Sequence, residues 1–231
     1  MNGPENRGES SADRWATFDC YGTLIDWNGG LVAELGRIFG ESEGPRMLTR
    51  YHELEPLVQE QDPSKSYRDV MASVLSRLAG DAGIDLPPNE ADALGRSLPS
   101  WPAFPEVPAA LAEAREGGWR LVILSNTDRD FIEASMETIG IPFEFAIVAS
   151  EIGSYKPARR HWDAFFERTG ADPSLHVHVA ASVHHDIRPA AELDIKSIWI
   201  NRLRERTDVT PTRELPDLAR IAATLDELVP P

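Results

Sequence analysis

The spacing of hydrophobic positions changes character along the chain. Trp15 to Phe18 is a short, mostly apolar segment running into a turn that contains Gly22, the pattern of a buried strand that ends in a loop. From about Gly29 to Ser100 strand signals vanish and helical spacing takes over. Leu31, Leu35, Ile38 and Phe39 share one helical face, and further helices are predicted around Met47–Gln61, Ser66–Leu78 and Glu90–Leu98, with DLPPNE separating the last two. The prolines of WPAFPEVP mark the next boundary. After it come a helix over about Val107–Glu116, the apolar run GGWRLVILSN, the helical segment DRDFIEASMETIG, the strand EFAIVAS, a helix around Ala158–Thr169, the strand LHVHVAA, a helix around Arg188–Leu193 and the strand KSIWIN.

Strands that alternate with helices of this length predict an α/β fold with a parallel sheet covered on both faces, doubly wound if its crossovers are right-handed. The helical block reads as an insert. The expected division is a core over 14–28 and 101–231, an all-helical insert over 29–100, and a polar, disordered tail over 1–13.

Composition narrows the function. With 231 residues and 42% hydrophobic content the chain can bury a real core. The polar start and the single cysteine, Cys20, point to a reducing cytoplasm, and no apolar run suits a membrane span. A formal charge of −15 without any basic block argues against nucleic acid as a partner.

Ligands of parallel sheets bind beyond the carboxyl ends of the strands. By that rule the candidates are Asp19 after the first strand, Ser125 and Asn126 after RLVIL, Lys156 after EFAIVASEIGSY, and Asp186 beyond HVHVAA. Each alone is ordinary: an aspartate after a strand is most often a turn residue, and a lysine in YKP is most often solvated.

Their order, however, resembles the four motifs of the haloacid dehalogenase superfamily, carried by FDCYGTLID, ILSNTD, SYKPARRHW and VAASVHHD. The resemblance covers nearly the whole chain from Trp15 onward. It implies a Rossmann-like core with a helical cap inserted after the first motif. It further implies Asp19 as nucleophile, Ser125 as a ligand to anionic substrate oxygens, Lys156 as the charge between the carboxylates, and Asp186 as the acid of the fourth motif. Most members are magnesium-dependent phosphatases with a second aspartate two residues after the nucleophile. Here that position is Tyr21, and the Gly-Asp pair usual in the fourth motif is Ala180 and Ala181.

The 2-haloacid dehalogenase branch carries Asp-x-Tyr-Gly-Thr-Leu, as in this chain. Halide leaves without protonation, so neither a general acid nor a metal is needed, and no cofactor is expected. The resemblance implies attack by Asp19 on the α carbon of a small carboxylate, then hydrolysis of the resulting ester by a water that Asp186 orients or deprotonates. It implies that Arg50, in LTRYHELE, grips the halide or the carboxylate, and that Thr23 holds the Asp19 loop. Dimers are common in the family, so a homodimer is an option. The chain departs from the dehalogenase pattern at Ala181, Ser182 and Val183, at His185, and at Trp162. Related alternatives are a hydrolase that opens a strained ring such as azetidine-2-carboxylate, a residual phosphatase, and a non-catalytic anion binder.

The other conspicuous residues read as follows. His184 and His185 are adjacent, with no third clustered ligand, so a zinc site is not expected, and His185 is placed with the substrate-binding group as a pocket histidine. His176 and His178 alternate along a strand and are given packing roles, and Cys20 is read as a buried small residue. Tyr21, Trp27 and Trp162 are candidates to line the pocket.

Overall fold

The computed structural model describes residues 13–62 and 64–231. The expected tail over 1–13 therefore lies outside the described residues, apart from Asp13, whose carboxylate pairs with Arg120. Six parallel strands form one sheet: β1 (Arg14–Phe18), β2 (Trp119–Ser125), β3 (Phe145–Val148), β4 (His176–Ala180), β5 (Lys196–Ile200) and β6 (Arg213–Leu215), in the order β3-β2-β1-β4-β5-β6. The short β6 escapes sequence reading, because REL has no apolar alternation and its residues are mostly exposed.

Both faces of the sheet are covered, and the strand sequences say why. On β1, Ala16 and Phe18 enter the main core while Trp15 enters a second cluster on the other face. On β2, Leu121 and Ile123 face the first and Val122 and Leu124 the second. Alternation across the pleat sends both sets of side chains into apolar contact, which is why these strands read as continuous hydrophobic runs.

Among the described residues, ten α-helices pack around the sheet or form the insert: α1 (Trp27–Phe39), α2 (Gly44–Gln61), α3 (Tyr67–Ala82), α4 (Ala93–Ser97), α5 (Val107–Glu116), α6 (Arg129–Ile139), α7 (Ala149–Ile152), α8 (Arg160–Thr169), α9 (Arg188–Glu192) and α10 (Ile221–Leu228). The helix expected over Glu90–Leu98 is shorter, because Pro88 starts a separate 3₁₀ turn and Leu98–Ser100 continues as another. Before α9, Val183–Ile187 forms one wide π turn, which carries Asp186.

Two ties fix the insert over the sheet. Asp128, just beyond β2, accepts from the backbone N–H of Tyr67 at 3.0 Å and of Arg68 at 2.9 Å, so a carboxylate from the core caps the first turn of α3. Gly30 on α1 lies flat against the Trp101 ring, and any Cβ there would overlap the indole. Among the described residues no helix is long and apolar enough to cross a membrane.

Candidate active site

Asp19 follows the last residue of β1, where Phe18 is in register with Ile123 and Val179. Its N–H still bonds the Val179 carbonyl at 3.0 Å, so the nucleophile candidate is anchored between two strands. The chain then turns sharply: the carbonyl of Cys20 accepts from Leu24 at 2.7 Å and Ile25 at 3.0 Å, and Gly22 takes φ of 85°, which side chains disfavour. That turn brings the Thr23 hydroxyl back to Asp19 Oδ2 at 2.8 Å. The same hydroxyl oxygen accepts the Ala181 N–H at 2.9 Å, joining the first loop to the loop after β4.

Lys156 is 1% exposed and completes the centre. Its Nζ donates to Asp19 Oδ1 at 2.9 Å, to Asp186 Oδ1 at 2.6 Å and to the Leu124 carbonyl at 2.8 Å. Three acceptors match the three protons of an ammonium group. Asn126 sets the Lys156 backbone, taking its N–H at 2.6 Å and giving its own amide to the carbonyl at 2.9 Å. The buried Ser125 hydroxyl has no partner among the described residues and lies on the cavity wall, as a substrate ligand would.

The electrostatics follow from this geometry. Burial raises the Asp19 carboxyl above its ordinary value, against the opposing pull of Lys156 and Thr23. Burial opposes ionisation of Asp186 as well, but Lys156 together with His178 overrides it and holds that carboxyl well below the usual range. The Lys156 ammonium is raised: burial works against its charge, and Asp186 and Asp19 outweigh it.

His178 is a site residue that packing logic missed. Its Nε2 lies 3.0 Å from Asp186 Oδ1, and its Nδ1 lies 2.8 Å from the Thr17 hydroxyl, which also meets His176 Nε2 at 2.8 Å. With Asp186 as an ionised acceptor at the end, the bonds can run one way, from His176 to Thr17 to His178 to Asp186. Burial holds His176 down to about 3, consistent with a neutral ring. Alternation on β4 was the available signal, because a residue two places before the end of a strand shares the face of the site.

A cavity of about 400 Å³ opens over this centre. Asp19, Tyr21, Ser125, Asn126, Lys156, Asp186 and His185 all border it. Tyr21 gives or takes a hydrogen bond with Ser135 at 3.0 Å and stacks on Tyr67, with ring centroids 6.4 Å apart. His185 lies 3.2 Å from Ser182 Oγ, and burial pushes its imidazole down to about 4. His184 is exposed and is not on the wall.

Thr23 holds the Asp19 loop as expected, but it is fully buried beneath Asp19 and does not border the cavity, so it is not placed as a substrate ligand. Two further expectations need correction. Trp162 is buried behind the sheet, 1% exposed, and meets His178 edge-on at 5.3 Å, so it supports the ring that supports Asp186. Arg50 lies on the outside of α2, paired with Glu53 at 2.7 Å and Asp81 at 3.1 Å. On a helix two residues are about 200° apart. His52 borders the cavity with Glu55 and Gln59, and so Arg50 faces away.

The arginine that does border the cavity is Arg202, just beyond β5. It donates to the Thr23 carbonyl at 2.9 Å, pairs with Glu106 at 2.7 Å and lies 3.6 Å above the Phe104 ring. Its buried Nε has no partner among the described residues. The strand-end rule that selected Asp19 and Asp186 would have selected this arginine too.

The donor set is sparse for magnesium, which prefers several hard oxygen ligands: Lys156 takes one oxygen of each of the two carboxylates, Asp19 and Asp186, and the chain has Tyr21 and Ala181 rather than further acids beside them. No group of three metal-binding side chains occurs among the described residues.

A parallel sheet in this order, with a helical insert after the first strand and two acids bridged by a lysine at its carboxyl edge, defines a capped α/β hydrolase. The chain belongs to the haloacid dehalogenase-like hydrolases, whose family model matches residues 14–194. Among curated relatives it is 26% identical over 212 residues to (S)-2-haloacid dehalogenase of Pseudomonas sp. (strain YL), covering 88% of this chain and 90% of that one. A phosphoserine phosphatase from Thermus thermophilus is 29% identical over 135 residues, covering 57% of this chain and about half, 54%, of the phosphatase. The L-2-haloacid dehalogenase of Xanthobacter autotrophicus, solved with chloropropionic acid covalently bound, has the same fold: TM-score 0.81 and 18% identity, over 92% of this chain and 98% of that one.

Proposed function

We propose that the protein displaces halide from a small 2-haloalkanoate through an ester on Asp19 and releases a 2-hydroxy acid, without a metal. The residues over 14–28 and 101–231 supply the chemistry, and 29–100 form the cap over the substrate. The observation that carries this reading is Tyr21. Its hydroxyl is hydrogen-bonded to Ser135, and burial foremost keeps it well above its ordinary pKa, so the residue two places beyond Asp19 is a poor acid for a departing alkoxide. A leaving group that departs as a stable anion needs no such donor.

In the first step an Asp19 carboxylate oxygen bonds to the α carbon as the carbon–halogen bond breaks, and the halide leaves with the bonding pair. Lys156 and Thr23 fix the carboxylate for in-line attack. Arg202, Ser125 and the Asn126 edge are the groups positioned to receive the substrate carboxylate. In the second step water adds to the Asp19 carboxyl carbon, Lys156 supports the developing oxyanion, and the ester bond to the old Asp19 oxygen breaks. The product takes that oxygen, the water oxygen stays on Asp19, and one proton is released. Asp186 holds this water through Oδ2, which is buried and unpartnered among the described residues. Held so far down by Lys156 and His178, it is a poor base and acts by orientation.

The test is halide release from chloroacetate and from each enantiomer of 2-chloropropanoate, with EDTA present and Asp19→Asn as control. Release from one enantiomer that is lost in the variant supports the reading. Halide release undiminished in Asp19→Asn overturns it.

A further inference from the structure

The cap wall of the cavity carries an acid where a cation was expected. Glu55 lies on the inward face of α2, 8% exposed, with Met47, Tyr51, Leu54 and Val58. Its Oε1 accepts from the Tyr67 hydroxyl at 2.9 Å, and that hydroxyl accepts from Trp27 Nε1 at 3.1 Å. All three residues border the cavity. Among the described residues no lysine, arginine or histidine pairs with Glu55, although buried acids ordinarily have such partners. The titratable groups around it are Tyr51 on its own helix, Tyr67 on α3 and Tyr155 before α8, each with its hydroxyl raised by burial foremost and therefore uncharged.

The rest of the wall has the same sign. Asp19, Asp26, Glu55, Asp186 and Glu205 face Lys156 and Arg202, and both cations are already engaged by carboxylates. Pro56, also on the wall, has no N–H for the His52 carbonyl one turn earlier, which adds an acceptor on this flank of α2. A carboxyl without a cationic partner on the wall of a cavity rich in carboxylates is the environment that receives an ammonium group, although Trp27 and Tyr67 beside it each already stack one face, on His52 and Tyr21 respectively.

We propose that the cap side of this cavity is an ammonium subsite in which Glu55, held by the Tyr67 hydroxyl, receives the protonated amine of a small amino-carboxylate substrate. This rests on the aspartyl-ester reading only for the fate of the molecule: Arg202 and Ser125 take its carboxylate, Glu55 its ammonium, and Asp19 attacks the carbon bearing the leaving group. Binding of the cation ionises Glu55, so a proton leaves as the ligand enters below the pH at which the free carboxyl titrates.

Unreactive probes isolate the subsite from turnover. Calorimetric titration at about pH 8 compares 3-aminopropanoate, a zwitterion there, with propanoate, its amine-free analogue. The zwitterion is expected to bind about tenfold more tightly to the wild-type protein, with the margin narrowing toward about pH 5.5. Glu55→Gln, which preserves size and the Tyr67 hydrogen bond, is expected to erase the margin at both pH values while propanoate affinity holds. Equal or tighter binding of propanoate by the wild type overturns the proposal, as does a margin that survives in Glu55→Gln. The wild-type comparison stands even if the variant folds poorly. Halide release from 2-chloropropanoate without a zwitterion margin would sink the subsite and leave the proposed chemistry. A margin without halide release from any 2-haloacid would do the reverse.

Discussion

His178 Nε2 lies 3.0 Å from Asp186 Oδ1, the same oxygen that Lys156 holds at 2.6 Å. Crowding both donors onto one oxygen leaves Oδ2 for water, and it fixes the plane of the carboxylate. Asp186→Asn should therefore spare ester formation and slow ester hydrolysis, by about a hundredfold or more. Intact-mass spectrometry after mixing with 2-chloropropanoate should find the alkylated protein accumulating in this variant and not in Asp19→Asn.

The positioning role of His178 separates from simple packing by a conservative rescue. His178→Leu removes the donor to Asp186 and should lower kcat about tenfold or more with KM little changed. His178→Gln keeps an N–H within reach and should recover part of that loss. Equal activity in both variants would mean that Trp162 and His178 only fill space.

Arg50 and Arg202 make opposite predictions. Arg50 is exposed, and its ion pairs with Glu53 and Asp81 are of the surface kind, so Arg50→Ala should change kcat/KM by less than about twofold. Arg202→Gln removes the cation at the cavity edge and should raise KM for a carboxylate substrate about tenfold or more. Steady-state kinetics on both variants checks the reassignment, and an activity loss confined to Arg50→Ala would restore the sequence-based assignment.

What the sequence made legible is what backbone pattern alone dictates. Apolar runs located five strands, and the rule that ligands gather at their carboxyl ends selected Asp19, Ser125, Asn126, Lys156 and Asp186, which the fold brings to one cavity. The failures have a common cause in rotation about an element's own axis. Arg50 was placed by its position along α2, whereas its neighbours Tyr51 and Glu55 turn inward and carry it outside. Trp162 was placed by its motif, but α8 turns it under the sheet. An acid among Met47, Tyr51, Leu54 and Val58 on one helical face was a visible signal for Glu55, because such a position is otherwise apolar.

Thr23 ties two loops with one hydroxyl, donating to Asp19 Oδ2 and accepting from Ala181 N–H. Thr23→Val is nearly isosteric but leaves that part-buried N–H without its acceptor. It should cost about 1–3 kcal/mol of stability and lower kcat, since one anchor of the nucleophile is lost. Urea denaturation and halide release measure the two effects separately.

Glu55 gives stability a pH dependence whose sign can be worked out. Burial pushes its carboxyl from an ordinary 4.5 up to about 7, against the pull of the Tyr67 hydroxyl. Between those values the folded protein holds a proton that the unfolded chain has released, so stability is fully present at lower pH and falls as pH rises toward 7. The loss amounts to roughly 3 kcal/mol across the window and levels off above it. Glu55→Gln cannot titrate and should lack this decline. His161, His176 and His185 are held down by burial, to about 3, 3 and 4, and lose stability in the opposite direction as acid charges them in the unfolded chain. They are present in both proteins and cancel in the difference. Denaturant unfolding of the pair at a series of pH values should therefore show the wild type losing ground to Glu55→Gln as pH rises to about 7. A difference that stays constant with pH would mean that the folded chain stabilises the Glu55 carboxylate as well as water does, so that burial leaves its pKa at the unfolded value.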